Sequence, residues 1–200
     1  MPRYFVLYKP YGFLSQFTRE APHHQTLADL YPFPEGVYPV GRLDQDSEGL
    51  LLLTDDRRLN QALLQPKRGH ERTYLVQVEG MPRPSALLQL GQGVTIKVNK
   101  KPYRTRPARV QQLAVSPQLP DRDPPIRFRK TVPDCWLKLT LTEGKNRQVR
   151  KMCAAAGYPV LRLVRYSIER LTLDQLQPGE VREMTANELL PALQLDNLLR

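Results

Sequence analysis

The sequence predicts an α+β fold, with a mixed, mainly antiparallel sheet flanked by helices. Stretches with strand periodicity arrive in runs, while helical stretches fall between them irregularly, which disfavours a doubly wound arrangement. Forty per cent of the 200 residues are hydrophobic, enough for a sizeable core in one domain or two tightly packed halves. No apolar run approaches the roughly 20 residues of a membrane-spanning helix.

Tyr4 to Tyr8 reads as a strand, stopped by the turn signal Lys9-Pro10-Tyr11-Gly12. Thr26 is placed to cap a short helix reaching Tyr31, and Val37 to Val40 lead into a glycine-bounded loop. Four consecutive leucines, Leu50 to Leu53, then suit a strand buried on both faces. Asp56 should cap a helix that buries Leu59, Leu63 and Leu64 and stops at Pro66. Arg72 to Glu79 alternates, with Tyr74, Val76 and Val78 on one face, as in a half-buried strand.

Pro84 to Leu90 is helical in pattern, with Gly91 as its stop, and Val94–Val98 and Ala108–Ala114 are further strands. Residues 117–133 are proline-rich and basic, including Arg127, Arg129 and Lys130, and form a long loop. Trp136 to Leu141 resumes the alternation. Asn146 is expected to cap a helix ended by Gly157, and Val160 to Ile168 to form a strand. Thr185-Ala186-Asn187-Glu188 fits a capping box before a last helix.

The loop Gly41-Arg42-Leu43-Asp44-Gln45-Asp46-Ser47-Glu48-Gly49 is joined directly to the buried leucine strand. A rigid strand can hold such a loop still, as a reacting side chain requires. Asp44 is therefore a candidate for chemistry, with a turn-capping role as the plainer alternative. Asp44, Asp46, Glu48 and Asp55 also mimic part of a calcium loop, but that motif needs a helix on each side, and Gly36 to Val40 cannot supply one.

In the helix after Asn146, Val149, Met152, Cys153 and Ala156 share one face, with Arg147, Arg150 and Lys151 opposite. From Glu143 to Tyr166 that single acid meets Lys145, Arg147, Arg150, Lys151, Arg162 and Arg165. Cations also cluster at Lys67-Arg68-Arg72 and from Lys97 to Arg109, and the net charge is +10. This pattern is the footprint of a nucleic-acid partner. Cys135 and Cys153 stand far apart, and with His23, His24 and His70 they complete no metal-ligand spacing. They read as reduced cysteines of a cytoplasmic protein, and neither a metal nor a membrane is expected.

Taken together, Gly41-Arg42-Leu43-Asp44 with Gly49 to Thr54, Thr73-Tyr74-Leu75-Val76, and Glu143 to Met152 with Gly157 to Leu163 resemble the motifs of the pseudouridine synthases. The branch resembled contains the small-subunit ribosomal enzymes, and Lys9-Pro10-Tyr11-Gly12 fits it as well. The short chain most resembles members that act on the large subunit. Ser47 stands where many relatives carry threonine, which keeps the hydroxyl. The resemblance implies that family's fold, two packed halves around a central cleft. It also implies one catalytic domain over residues 1–200, without the small S4-type RNA-binding domain that precedes it in many members.

By the same resemblance, Asp44 is the nucleophile that lets uracil leave its ribose and rebond through C5, by attack at C6 or at C1′. Either route needs an ionised carboxylate in a pocket closed to water, and a desolvated carboxylate keeps its charge only beside a cation. Arg150 matches the residue that supplies it, and Tyr74 matches the one that stacks on the flipped base and takes part in removing the C5 proton. Arg42, Lys145, Arg147, Gln148, Lys151 and Arg162 are the expected RNA contacts. The implied partner is ribosomal RNA, free or in a large-subunit assembly intermediate, bound by a monomer. No cofactor is implied, because product and substrate are isomers. Two other readings stay open: a non-catalytic rRNA-binding or assembly protein, and a metal-dependent nuclease.

Overall fold

The computed structural model describes residues 1–65, 68–126, 132–173 and 176–199. The expected helix stop at Pro66 and the cations Lys67, Arg127, Arg129 and Lys130 lie outside the described residues. Contacts divide the chain into two compact units, Met1–His70 with Arg165–Arg200, and Glu71–Val164.

The first unit is built on β1 (Tyr4–Lys9), β2 (Phe13–Leu14), β3 (Gln25–Thr26), β4 (Tyr38–Pro39) and β5 (Glu48–Thr54). All residues of β1 and β5 are buried, as the unbroken apolar runs require. They pair antiparallel from Tyr4↔Thr54 to Lys9↔Gly49, so the end of β1 meets the exit of the Gly41–Gly49 loop. Leu50 to Leu53 are at most 1% exposed. At about 2 kcal/mol for each buried leucine, this strand is a firm base for that loop. Phe5, Phe17, Tyr31 and Phe33 form an edge-packed aromatic cluster over one face.

Helix α1 (Arg57–Leu64) begins where Asp56 accepts the Arg58 N–H, as expected of a capping aspartate. It buries Leu59, Ala62 and Leu63, but Leu64 in its last turn is 46% exposed, contrary to expectation. Helical spacing gives the face, whereas the end of a helix also depends on what lies over it. The helix expected from Thr26 to Tyr31 is only a 3-10 turn (Leu27–Asp29), with the Thr26 N–H and hydroxyl both donating to Asp29 Oδ2 at its start.

In the second unit β6 (Arg72–Glu79) is followed by α2 (Pro84–Gly91), β7 (Thr95–Val98), β8 (Lys101–Arg104), β9 (Arg109–Gln112), β10 (Asp134–Leu141) and α3 (Gln148–Ala155). β10 pairs antiparallel with β6 and with β9, and β7 and β8 form a separate hairpin. Val149, Met152 and Cys153 of α3 enter one core with Ile96, Leu137, Leu139 and Val76. The helix stops at Gly157, whose φ of +91° is a left-handed value that glycine adopts without strain. Its N-cap is Arg147, at φ +53°, and not Asn146; Asn146 instead accepts bonds from Lys151 Nζ.

Strand β11 (Val160–Ile168) returns the chain to the first unit, where β12 (Leu171–Thr172), β13 (Val181–Met184) and α4 (Ala186–Ala192) complete it. β13 pairs antiparallel with β1, and Thr185 with Glu188 forms the expected capping box at the start of α4. The class is α+β, as the sequence indicated.

The charge is divided very unevenly. Residues 71–164 carry 18 Lys and Arg against six Asp and Glu, a net +12, whereas the rest carries 12 against 14, a net −2. The whole basic excess therefore belongs to the second unit. No helix among the described residues is long and apolar enough to cross a membrane.

Candidate active site

The Gly41–Gly49 loop is held from three directions within the first unit. Ser15 Oγ donates to the Leu43 carbonyl at 2.8 Å and accepts the Leu43 N–H at 3.0 Å, clasping the peptide just before Asp44. The Gly12 N–H donates to the Gln45 carbonyl at 2.9 Å, and Gln45 Nε2 returns a bond to the Gly12 carbonyl at 3.1 Å. The turn after β1 is thereby stitched to the residue just after Asp44. Within the loop, the Ser47 N–H donates to the Asp44 carbonyl at 3.0 Å.

Lys9 is the third support and is fully buried. Its Nζ donates to the carbonyls of Pro10 at 2.8 Å and Phe13 at 2.7 Å, and reaches that of Gln45 at 3.5 Å. Burial pushes its ammonium down to about 7, against the opposing pull of Glu48, Asp46 and Asp44, whose charges all act on it. A buried amine is tolerated here because carbonyls take its protons. Neither Lys9 nor Ser15 was singled out from sequence as part of a site. Lys9 entered only through the turn Lys9-Pro10-Tyr11-Gly12, which fits the family resemblance but says nothing of where the side chain goes.

The exit of the loop is fixed by Gly49. Its φ is +106°, and a Cβ there would lie 2.4 Å from the Arg165 carbonyl oxygen and 2.7 Å from its nitrogen. Only glycine lets β5 approach the backbone of β11 so closely. Arg165 is itself buried, and its Nε donates to the Leu50 carbonyl at 2.7 Å. Asp44 is half-buried on this frame, while Arg42 is exposed. The calcium-like segment from Asp44 to Asp55 is followed by α1 but preceded by β4 and filled in its second half by β5, so it lacks the entering helix and open loop of a calcium site. Among the described residues no group of three or more His, Cys, Asp or Glu is placed to hold a metal ion.

Tyr74 and Arg150 belong to the second unit. Tyr74 is half-buried on β6, opposite Leu139 of β10. Arg150 is half-buried on α3, with Nη1 3.5 Å from the Val160 carbonyl. Beside it, burial pushes the Cys153 thiol up to about 12, which suits a packing residue and not a nucleophile.

The expected RNA contacts divide by placement. Lys145 and Arg147 are exposed and Lys151 is half-exposed. Arg162 is buried, and its Nη2 donates to the Pro120 carbonyl at 2.9 Å, holding the start of the long loop. Gln148 is also buried: Nε2 donates to Glu143 Oε1 at 2.7 Å, and Oε1 accepts the Lys145 N–H at 2.9 Å. With its amide spent on both sides, Gln148 shapes the loop and does not present itself to a ligand. It was expected to contact RNA on the family resemblance alone, but its amide is turned inward onto Glu143. Burial would raise the Glu143 carboxyl, yet the Tyr103 hydroxyl, the Arg106 N–H and Gln148 together hold it below the usual carboxylate range.

This loop-on-strand arrangement can fix one carboxylate, Asp44, in orientation. The sequence profile of the RNA pseudouridylate synthases matches residues 3–155, which include Asp44, Tyr74 and Arg150. The ribosomal large subunit pseudouridine synthase E of Xanthomonas campestris pv. campestris is 52% identical over 188 residues, 94% of this chain and 98% of that protein. The synthase of the same name from Vibrio vulnificus is 49% identical, over 90% of this chain and 74% of its own. A crystal structure of a pseudouridylate synthase, 29% identical, superposes with a TM-score of 0.76 over 96% of this chain and 74% of its own. On these matches the chain belongs to the RNA pseudouridylate synthase family.

Proposed function

We propose that this protein converts uridine to pseudouridine in large-subunit ribosomal RNA, with Asp44 as the nucleophile. The N1–C1′ bond breaks, a C5–C1′ bond forms, C5 loses its proton and N1 gains one, so the product is an isomer. The observation that carries the reading is the clasp on the catalytic loop. Ser15 holds Leu43, and Gly12 and Lys9 hold Gln45, so Asp44 is gripped by both neighbouring peptides. Pre-orientation of that kind is what covalent catalysis requires.

The remaining roles follow from the motif match and not from geometry. Tyr74 stacks on the extruded uracil and assists loss of the C5 proton, and Arg150 supplies the charge that keeps the carboxylate ionised. Arg42, Lys145, Arg147 and Lys151 contact RNA, and Arg162 acts on RNA through the loop it anchors. Extruding the base costs a few kcal/mol, which binding to the basic unit offsets. Residues 1–200 act as one catalytic domain, working as a monomer in the cytoplasm.

The test is tritium release from large-subunit rRNA labelled at uracil C5. Asp44→Asn should abolish release while leaving RNA affinity within about twofold. Substantial turnover by the Asn variant overturns the nucleophile role. A wild-type chain that binds rRNA but forms no pseudouridine would instead be a binding or assembly protein.

A further inference from the structure

We infer that the β7–β8 hairpin is a dedicated RNA-backbone arm, gripping phosphates of the substrate. The inference rests on the rRNA reading above and extends it to a surface that the family motifs leave out. Lys97, Lys100, Lys101 and Arg104 of the hairpin are all exposed. Among the described residues, Lys97, Lys100 and Lys101 make no ion pair. The nearby acid, Glu143, is withdrawn from the surface, buried beneath Tyr103, Arg106 and Gln148. Cations therefore face solvent while the carboxylate faces inward. That arrangement favours a polyanion over an acidic partner needing mixed charge.

The hairpin is also held rigidly to the expected RNA-contacting loop of the same unit. Ile96 lies in the core with Val149 and Met152 of α3, and α3 packs against β7. The Tyr103 hydroxyl donates to Glu143 Oε2 at 2.5 Å, and Lys145 Nζ lies 5.0 Å from the Tyr103 ring centre. Tyr103 thus ties the hairpin to the loop that carries Lys145; by strand alternation Lys101 shares the Tyr103 face, while Lys97 and Arg104 lie on the other.

The tip carries a further signature. Val98 pairs with Lys101, leaving the two-residue turn Asn99-Lys100, with φ of +50° and +65°. Two positive φ values mark a type I′ turn, for which Asn-Gly is the favoured pair. Lysine at the second position is strained where glycine would not be, and it puts a charge at the very tip of the hairpin.

The test uses the whole chain and a large-subunit rRNA fragment, with affinity measured by anisotropy across a range of salt concentrations and turnover by tritium release. K97Q/K100Q/K101Q should flatten the slope of log K against log [salt] by about 2 to 3. Near 0.15 M salt, affinity should fall roughly fivefold for each phosphate left without its cation. KM should rise with it, while kcat at saturating RNA stays unchanged. K100G separates binding from folding, because it should match or exceed the wild-type melting temperature and still bind less tightly. An active wild type whose triple variant is folded, with unchanged affinity and salt slope, overturns the arm. Absence of wild-type turnover overturns the catalytic reading alone, since the slope comparison is made on binding.

Discussion

Replacing Lys9 by methionine sets two effects of similar size against each other. Methionine fills the buried space but leaves the Pro10 and Phe13 carbonyls, now 2.8 and 2.7 Å from Nζ, without their donor. Two orphaned buried acceptors cost about 2–6 kcal/mol together. Opposing this is relief of the cost of burying an amine. Its value of about 7 against an ordinary 10.5 corresponds to about 5 kcal/mol when the unfolded chain is fully protonated. Net stability at pH 7 should thus lie between a gain of about 3 kcal/mol and a loss of about 1 kcal/mol.

The pH dependence is where the variant should differ. Between pH 7 and 10.5 the unfolded lysine holds its proton while the folded one has released it. Stability conferred by the wild-type residue therefore rises with pH across that window, by about 2 kcal/mol from pH 7 to pH 9. Lys9→Met should abolish that rise. The assay is urea denaturation of both proteins at half-unit pH steps, read as the difference between them, so that other titrating groups cancel. A difference flat from pH 7 to pH 9 would refute a desolvated Lys9. Tritium release should also fall in the variant, because the turn at Phe13 and the Gln45 peptide lose a common anchor.

Two further substitutions probe the same frame. Gly49→Ala drives a Cβ to 2.4 Å from the Arg165 carbonyl at a positive φ and should cost about 3 kcal/mol; a melting temperature within 2 °C of wild type would contradict the close approach. Ser15→Ala removes both bonds to the Leu43 peptide and should cost about 1–3 kcal/mol. Since Ser15 positions Asp44 and touches no RNA in this scheme, kcat should drop with KM unchanged, Ser15→Thr should restore part of the loss, and a rise in KM alone would exclude the role.

Local pattern alone determined much of this protein. The leucine run suited a buried strand, because it is short, unbroken and bounded by turn signals. Val149, Met152 and Cys153 declared the inner face of α3 by spacing, and Thr185 with Glu188 declared a helix start. Asp44, on a glycine-bounded loop joined to that strand, was legible as the candidate carboxylate. The concentration of charge between Glu71 and Val164 was also present in the sequence, but it acquired meaning only once that stretch proved to be a compact unit. What stayed hidden were contacts made across long stretches of chain. Ser15 reaches Leu43 across 28 positions and Lys9 reaches Gln45 across 36, and no periodicity encodes such pairings. β8 escaped notice because Lys101-Pro102-Tyr103-Arg104 carries little strand propensity and its turn has no glycine; pairing with β7 and the bond from Tyr103 to Glu143 supply what the local sequence lacks. Gln148, expected to contact RNA, is instead buried against Glu143, a partner no local pattern announces. Local sequence determines which backbone a segment prefers and which face is apolar, but whether a polar side chain meets solvent or a buried partner is decided by the segments packed around it.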